Sequence, residues 1–348
     1  MPPALSVPIA RRVQALAAAP TDRGLHHPLS VVTDERPPLQ AGEVRVGLLA
    51  MPINPADVLQ LQGRYGHQPS APFVPGHEAV GVVIEVGAEV SALAVGDWVM
   101  PLAPFGYWRD EWVLPARALM PLPPQKRVGP AAMLKANPAT ALVMLQHSRA
   151  LSPGDWVLQN AANSAVGACV NAVAEALGLR VLNVVRRAQA LPAEPGPFPW
   201  VVDDGAADLA AAVAQHCERP PLLGLDAIGG EASARMAAAL GDGGTLLVYG
   251  LLSGEAPRVA AHDLVFRDIS LRGFWLARWF QDPAHRAQAK AIYPQLLTWL
   301  AEGRFELSVA AHYPLQEVEA AVAHAQREQR GGKVLLTGAW LEALGLAV

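Results

Sequence analysis

Two hydrophobic periods divide the chain. Up to about residue 130, apolar and polar positions alternate in short runs. Glu43-Val-Arg-Val-Gly-Leu-Leu49 reads as a half-buried strand. Ala79 to Gly87, β-branched and closed by glycines, reads as a second strand. Gly96-Asp97 marks a turn, and Trp98 to Pro101 follows as a short strand. Pro101, Pro104, Pro115, Pro121, Pro123 and Pro124 then interrupt the pattern, and no long helix fits. Many short strands with Gly and Pro turns predict a small barrel-like β domain.

Beyond residue 130 the period lengthens. Pro138 to Ser148 is compatible with a helix, and Pro153-Gly154-Asp155 with a turn. Trp156 to Asn160 predicts a strand, Asn163-Ser164 the opening of a helix through Ala176, and Arg180 to Val185 the next strand. This βαβ unit should be right-handed and parallel. Leu222 to Ile228, Gly244 to Tyr249 and Ile269 to Phe274 read as later strands separated by helical stretches, the pattern of a doubly wound α/β sheet. Four prolines between residues 188 and 199 forbid a regular crossover helix there. Pro314 to Gln329 carries apolar positions at helical spacing, and Lys333 to Thr337 predicts a last strand.

Composition narrows the class. The 348 residues are 52% hydrophobic and 17% charged, which excludes a disordered chain. The net charge of −4 is not gathered into a basic stripe, so no nucleic-acid partner is expected. The longest uncharged stretch, Trp156 to Ala174, contains Gln159, Asn160, Asn163, Ser164 and Asn171, so no membrane span is expected either. Two cysteines, Cys169 and Cys217, cannot build a disulfide scaffold or a four-cysteine zinc site. The N-terminus has no apolar segment of signal-peptide length. A cytoplasmic location is the expectation, with an organellar matrix left open.

Candidate chemistry begins at the βα turn Asn160 to Gly167. A dinucleotide site needs a tight turn, close backbone approach to pyrophosphate, and a helix N-terminus aimed at the anion. Small side chains at Ala161, Ala162, Ser164 and Ala165 permit that approach, and Gly167 permits close helix–strand packing. Of the G-x-G-x-x-G pattern only the last glycine is present, and an ordinary βα turn would read the same way locally. At the end of the next strand, where an acidic residue would read a ribose 2′-hydroxyl, stand Arg186 and Arg187. Guanidinium groups suit a 2′-phosphate and point to NADPH; solvated strand-end arginines are the plainer alternative.

Gly76-His77-Glu78, with Gly81 and Gly87, resembles the signature of the medium-chain dehydrogenase/reductase family, whose zinc members bind metal through that histidine. A catalytic zinc needs three protein ligands and an open position. Where the zinc members commonly have cysteines, this chain has Asn54-Pro55-Ala56-Asp57 and the segment Lys135 to Pro138. No metal is expected, and His77 reads as a remnant hydrogen-bonded in its turn.

Within that family the chain resembles the mitochondrial-type trans-2-enoyl thioester reductases over roughly Pro52 to Thr337. The resemblance rests on Asn54 to Asp57, Gln62-Gly-Arg-Tyr-Gly66, Gly96-Asp-Trp-Val99, Asn137-Pro-Ala-Thr140, Gln159 to Gly167, Asn183-Val-Val-Arg186 and Leu271-Arg-Gly-Phe-Trp-Leu276. It implies a GroES-like β-rich catalytic domain over 1–129 and 309–348, with a Rossmann cofactor domain over 130–308. It also implies a catalytic Tyr65, a cofactor-contacting Asn137, and a pyrophosphate turn of Ser164, Ala165, Val166 and Gly167. Arg186, beside Arg187, would read the phosphate. Tyr249 and Gly250 would lie against the nicotinamide half, Phe274 and Trp275 would shape the pocket, and Lys333 would contact the cofactor. The family's habit of pairing sheets through the last cofactor-domain strand implies a homodimer joined near Ile269 to Phe274. Ala165 in place of glycine, the histidine in Gly-His-Glu, and the Pro-rich 188–199 connection depart from the pattern.

Reducing an enoyl thioester places hydride on Cβ and a proton on Cα. An ordinary tyrosine, with pKa about 10, is protonated by ~10³ to one at pH 7 and can act as acid without tuning. As a base it would need a drop of about three units, ~4 kcal/mol. Without the resemblance, Tyr65 reads as a surface loop aromatic and Trp275 as a packing residue. Three functions compete: an NADPH-dependent reductase of enoyl thioesters of CoA or acyl carrier protein, a zinc-free quinone or enone reductase, and an NADPH-binding sensor without turnover.

Overall fold

The computed structural model describes residues 10–17, 27–102, 106–194, 196–206 and 208–348. The chain divides into two compact units, Met1–Ala136 with Leu297–Val348, and Asn137–Leu296. The sequence divided it at 130 and 308.

The first unit is built on a seven-stranded sheet, with a two-stranded antiparallel sheet, Arg11–Ala15 with Leu29–Thr33, beside it in sequence. The order of the larger sheet is Val309–Pro314, Lys333–Thr337, Glu43–Pro52, Val80–Val86, Trp98–Pro101 and Leu119–Leu122, with Glu111–Pro115 also paired to Glu43–Pro52. All pairings are antiparallel except that of Val309–Pro314 with Lys333–Thr337. Nine of the ten positions of Glu43–Pro52 are buried. The strict alternation read over Glu43 to Leu49 gives way because the sheet is covered on both faces. Arg45 lies within that run, and its guanidinium is drawn off by Glu85 at 2.8 Å and the Pro37 carbonyl at 2.6 Å. Trp108, Trp112, Val13 and Val322 join the same core. A seven-residue helix, Pro55–Leu61, lies in the region where the sequence showed only strands and turns.

The second unit is a parallel sheet. Its strands are β1 (Trp156–Gln159), β2 (Arg180–Val185), β3 (Trp200–Val202), β4 (Leu223–Asp226), β5 (Thr245–Val248) and β6 (Ser270–Gly273). Their order is β3-β2-β1-β4-β5-β6, and every pairing is parallel. The chain reverses direction across the sheet between β1 and β4. In open α/β sheets that switch point, at the carboxyl ends of the strands, is where ligands bind. Among the described residues, the proline-rich connection contains only a short 3-10 turn, Ala188–Ala190, before β3. Leu158, Leu182, Val184, Leu246 and Ile269 form the core on one side of the sheet. The longest helix, Arg286–Ala301, carries Pro294 in its interior. Among the described residues no helix is long and apolar enough to cross a membrane.

Candidate active site

In the second unit, the turn after β1 is shaped by its own chain. Ser164 caps the helix Ala165–Ala176, its hydroxyl accepting from the Gly167 N–H at 3.1 Å. The amides of Ala165 and Val166 lie in the first turn, which has no intrahelical acceptors. A Cβ at Gly167 would stand 2.3 Å from the Ala162 carbonyl oxygen, so the helix begins as close to the turn as backbone allows. Ala161 adopts φ +47°, the left-handed region, to make the bend.

The sequence reading passed over the polar residues behind this turn. Gln159 Nε2 donates to Asn183 Oδ1 at 2.6 Å and to the Gly167 carbonyl at 3.2 Å, tying β1, β2 and the helix together. Asn160 crosses the switch point, donating to Asp226 Oδ1 at 2.7 Å and accepting from the Ala227 N–H at 2.8 Å. Asp226 also accepts from the Ile228 and Gly229 amides and the Ser233 hydroxyl. Buried amides and carboxyls inside an apolar α/β core were the available signal.

Tyr249 and Gly250 follow β5 and come to the same place. A Cβ at Gly250 would meet the Ala227 carbonyl at 2.5 Å. The Tyr249 phenol lies against Ser164; burial, and then the charge of Asp226, push its pKa upward. Arg186 and Arg187 follow directly on β2, Arg186 exposed and Arg187 half-buried, each already engaged in an interaction. Asn137 opens the helix Asn137–His147 and is 4% exposed, yet its Nδ2 has no hydrogen-bond partner. Phe274 and Trp275 follow β6, the latter 37% exposed. An open helix N-terminus, a turn that only glycine permits, strand-end arginines and an orphaned buried amide fit a dinucleotide.

The first unit carries Tyr65, His77 and a buried polar chain behind them. Pro55 opens its helix, and Asp57 reaches back to the Asn54 N–H at 2.7 Å. Asn54 Nδ2 donates to Glu78 Oε1 at 2.7 Å, Lys333 Nζ donates to Asn54 Oδ1, and the Ala136 N–H donates to Glu78 Oε2 at 2.8 Å. Lys135 Nζ donates to the His77 carbonyl at 2.8 Å. Burial, opposed by Asn54, Lys333 and Lys135, raises the Glu78 pKa. Burial, opposed by Glu78 and Asp57, lowers that of Lys135 to about 8.

Gly76 has φ +105°, and a Cβ there would meet Trp108 at 2.3 Å; this fixes the approach of His77. His77 Nδ1 lies 2.6 Å from Asp57 Oδ1, so its partner is a carboxylate on the helix rather than its own turn. The Tyr65 and His77 rings meet edge to face at 4.9 Å between centroids. These side chains do not fit a three-donor zinc site. His77 Nδ1 is held by Asp57, Asn54 is bonded at both ends of its amide, and Lys135 presents an ammonium. Among the described residues no group of three or more His, Cys, Asp or Glu side chains could hold a metal ion. Lys333, expected on the cofactor, is 6% exposed and joins this network within the first unit.

Residues 40–124 match the alcohol dehydrogenase GroES-like domain, and residues 165–300 the zinc-binding dehydrogenase domain. The mitochondrial enoyl-[acyl-carrier-protein] reductase of Homo sapiens is 35% identical over 314 residues, covering 86% of this chain and 82% of that one. The chain belongs to the medium-chain dehydrogenase/reductase family. The family binds NAD(P)H, and this member is an oxidoreductase. The mitochondrial enoyl-[acyl-carrier-protein] reductase of Dictyostelium discoideum is 33% identical over 304 residues, covering 84% of this chain and 86% of that one. Among solved structures, a protein described as an NADPH:quinone reductase, from Bacillus thuringiensis, superposes with TM-score 0.81 at 28% identity, covering 95% of this chain and 100% of that one. The mitochondrial 2-enoyl thioester reductase heterodimer of Candida tropicalis superposes with TM-score 0.80 at 25% identity over the same shares.

Proposed function

We propose that this oxidoreductase reduces the C=C bond of trans-2-enoyl thioesters of CoA or acyl carrier protein, using NADPH and no zinc. One observation carries the reading. The place where zinc members of the family assemble their metal holds an Asn54–Glu78–Lys333 network, with Tyr65 packed on the neighbouring His77. In the zinc members the metal polarises the substrate oxygen as a Lewis acid. A chain that reduces an enoyl thioester needs an acid for Cα, which a phenol supplies. The curated relatives named above are enoyl reductases, which agrees with that chemistry.

Ser164 to Gly167 would hold the pyrophosphate on the open helix N-terminus. Arg186 and Arg187 would pair with the 2′-phosphate, and the orphaned Asn137 amide and Tyr249–Gly250 would meet the nicotinamide half. Bound NADPH supplies the hydride that Cβ receives. Tyr65 Oη donates its proton to Cα, and the phenolate left behind takes one from the surroundings. Positioned acid catalysis of this kind contributes ~10²–10⁴-fold, and orientation of the substrate supplies much of the remainder.

A second reading, reduction of quinones, is favoured by the likeness to the Bacillus thuringiensis protein. NADPH oxidation by the purified chain, followed against crotonyl-CoA, a longer enoyl-CoA and a set of small quinones, separates the two. Higher kcat/KM on the enoyl thioesters supports the proposal. Turnover of quinones alone assigns the second reading, and tight NADPH binding without turnover assigns a sensor.

We infer also that the protein is a homodimer, paired along β6. All four residues of that edge strand are exposed, and Val265 and Phe266 beside it are 69% and 77% exposed. An open strand edge next to apolar side chains is a ready pairing surface.

A further inference from the structure

We infer that Asp226 is a positioning residue for the dinucleotide, holding the two walls of its crevice at a fixed spacing. The inference rests on the cofactor site of the reading above and not on the substrate, so it holds for an enoyl thioester and a quinone alike. Asp226 ends β4, which lies next to β1 in the sheet, and is fully buried. One carboxylate oxygen, Oδ1, accepts from Asn160 Nδ2 at 2.7 Å, from the Ile228 N–H at 2.8 Å and from the Gly229 N–H at 3.1 Å. The other accepts from the Ser233 hydroxyl. All four partners are neutral donors, so the group is used for its geometry rather than for an ion pair.

These donors come from both sides of the switch point. Asn160 opens the turn that runs to the Ser164 cap, and its own Oδ1 accepts from the Ala227 N–H at 2.8 Å. Two bonds therefore tie the Asn160 side chain to Asp226 and the residue after it. On the far side, the residues after Asp226 carry the segment that follows β5. The Ala227 carbonyl accepts from the Leu252 N–H at 3.1 Å, and the Ile228 carbonyl from the Ser253 N–H at 2.9 Å. The Tyr249 N–H donates to the Asp226 carbonyl at 2.9 Å. The Tyr249 phenol then lies against Ser164, where the two walls meet again.

The segment after Asp226 needs such an anchor. Gly229 and Gly230 have φ +85° and +61° in succession, both left-handed, and glycine has the widest choice of conformations to leave for. Without the carboxylate, the Ile228 and Gly229 amides and the Asn160 side chain would lose their acceptor inside the fold, which is costly enough to move the backbone. Movement of Ile228 carries Ser253 with it, and movement of Asn160 carries the turn to Ser164. Arg186 and Arg187 follow β2, whose place is set by backbone pairing with β1 and β3. Loss of Asp226 should therefore weaken a ligand that spans both walls and spare one held at the end of β2.

The test measures binding of NADPH by fluorescence, and of adenosine 2′,5′-bisphosphate, which has no nicotinamide half, by calorimetry. Asp226→Ala should weaken NADPH about 10-fold or more and the fragment about twofold at most. In Asp226→Asn the side-chain oxygen still accepts from Asn160, Ile228 and Gly229, and the new amide donates to Ser233. NADPH affinity should return to within about threefold of wild type. Ser233→Ala removes the one bond that touches neither wall and should leave both affinities within about twofold. NADPH affinity unchanged in Asp226→Ala, a proportional loss of the fragment, no recovery in Asp226→Asn, or an equal loss in Ser233→Ala would each overturn the inference. Should Asp226→Ala not fold, Asn160→Ala cuts the link between the walls and should show the same split between NADPH and the fragment; equal losses would overturn the inference. A wild type that binds neither nucleotide removes the dinucleotide site and this inference together. A wild type that binds both, with unaffected variants, removes this inference alone.

Discussion

Single side chains in this protein are given their chemistry by what buries them. Tyr65→Phe removes only the acidic proton; kcat on crotonyl-CoA should fall at least ~10²-fold while NADPH binding persists, as fluorescence titration would show. Unchanged turnover would take Tyr65 out of the reaction. Arg186 should contribute one charge-assisted contact to the 2′-phosphate, on the order of 1.5–3 kcal/mol. Arg186→Ala should therefore weaken NADPH about 10–100-fold and NADH little, and equal weakening would assign the arginine to the surface. Lys135 gives a pH signature. Its folded pKa of about 8 lies below the ordinary 10.5, mainly through burial. Between those values the unfolded chain binds more protons, so this group's contribution to stability rises with pH across that window. Urea unfolding at pH 8 and pH 10 should show the rise in wild type and its loss in Lys135→Met. Sequence alone could name Tyr65 and Arg186 as candidates and read His77 as a remnant held in its own turn. It could not show that His77 leans on Asp57, or that Lys333 is spent on Asn54, because those partners lie 20 and 279 residues away.

Elements with a strong local signal were legible in the chain. Arg180–Val185 and Lys333–Thr337 are strands with the bounds their apolar runs suggested, and the helix from Ala165 to Ala176 opens at the Ser164 cap. The helix Pro55–Leu61 was not, since seven residues barely complete two turns and Pro55 reads equally as a breaker. Its importance is positional, because it carries Asp57 into the core. The Gln159–Asn183 and Asn160–Asp226 pairs were likewise invisible, being contacts between strands adjacent in space only. At this scale the βα turn is the most constrained part. Gly167→Ala places a methyl group 2.3 Å from the Ala162 carbonyl. The substitution should cost ~1–3 kcal/mol in unfolding free energy and weaken NADPH binding, since the turn must open. A variant as stable and as tight-binding as wild type would show that the turn is not the pyrophosphate cradle.

For the whole molecule, the alternation of β and α beyond residue 130 was enough to specify a parallel sheet, and the short strands before it a separate β-rich domain. The strand order β3-β2-β1-β4-β5-β6 could not be read from local pattern, because it depends on which strands pair across the switch point. The proposed dimer follows from the edge this order exposes. Sedimentation should give twice the chain mass, and Phe266→Glu with Leu271→Lys should give monomers; a monomeric wild type would refute the pairing. The central claim is that this fold reduces enoyl thioesters without a metal, by a phenol set on a His–Asp pair. It is tested most directly by NADPH oxidation with crotonyl-CoA before and after exhaustive treatment with chelator, with bound zinc measured in both samples. The account predicts the same turnover in each, with zinc far below one ion per chain. Activity that falls on chelation and returns with added zinc would contradict it.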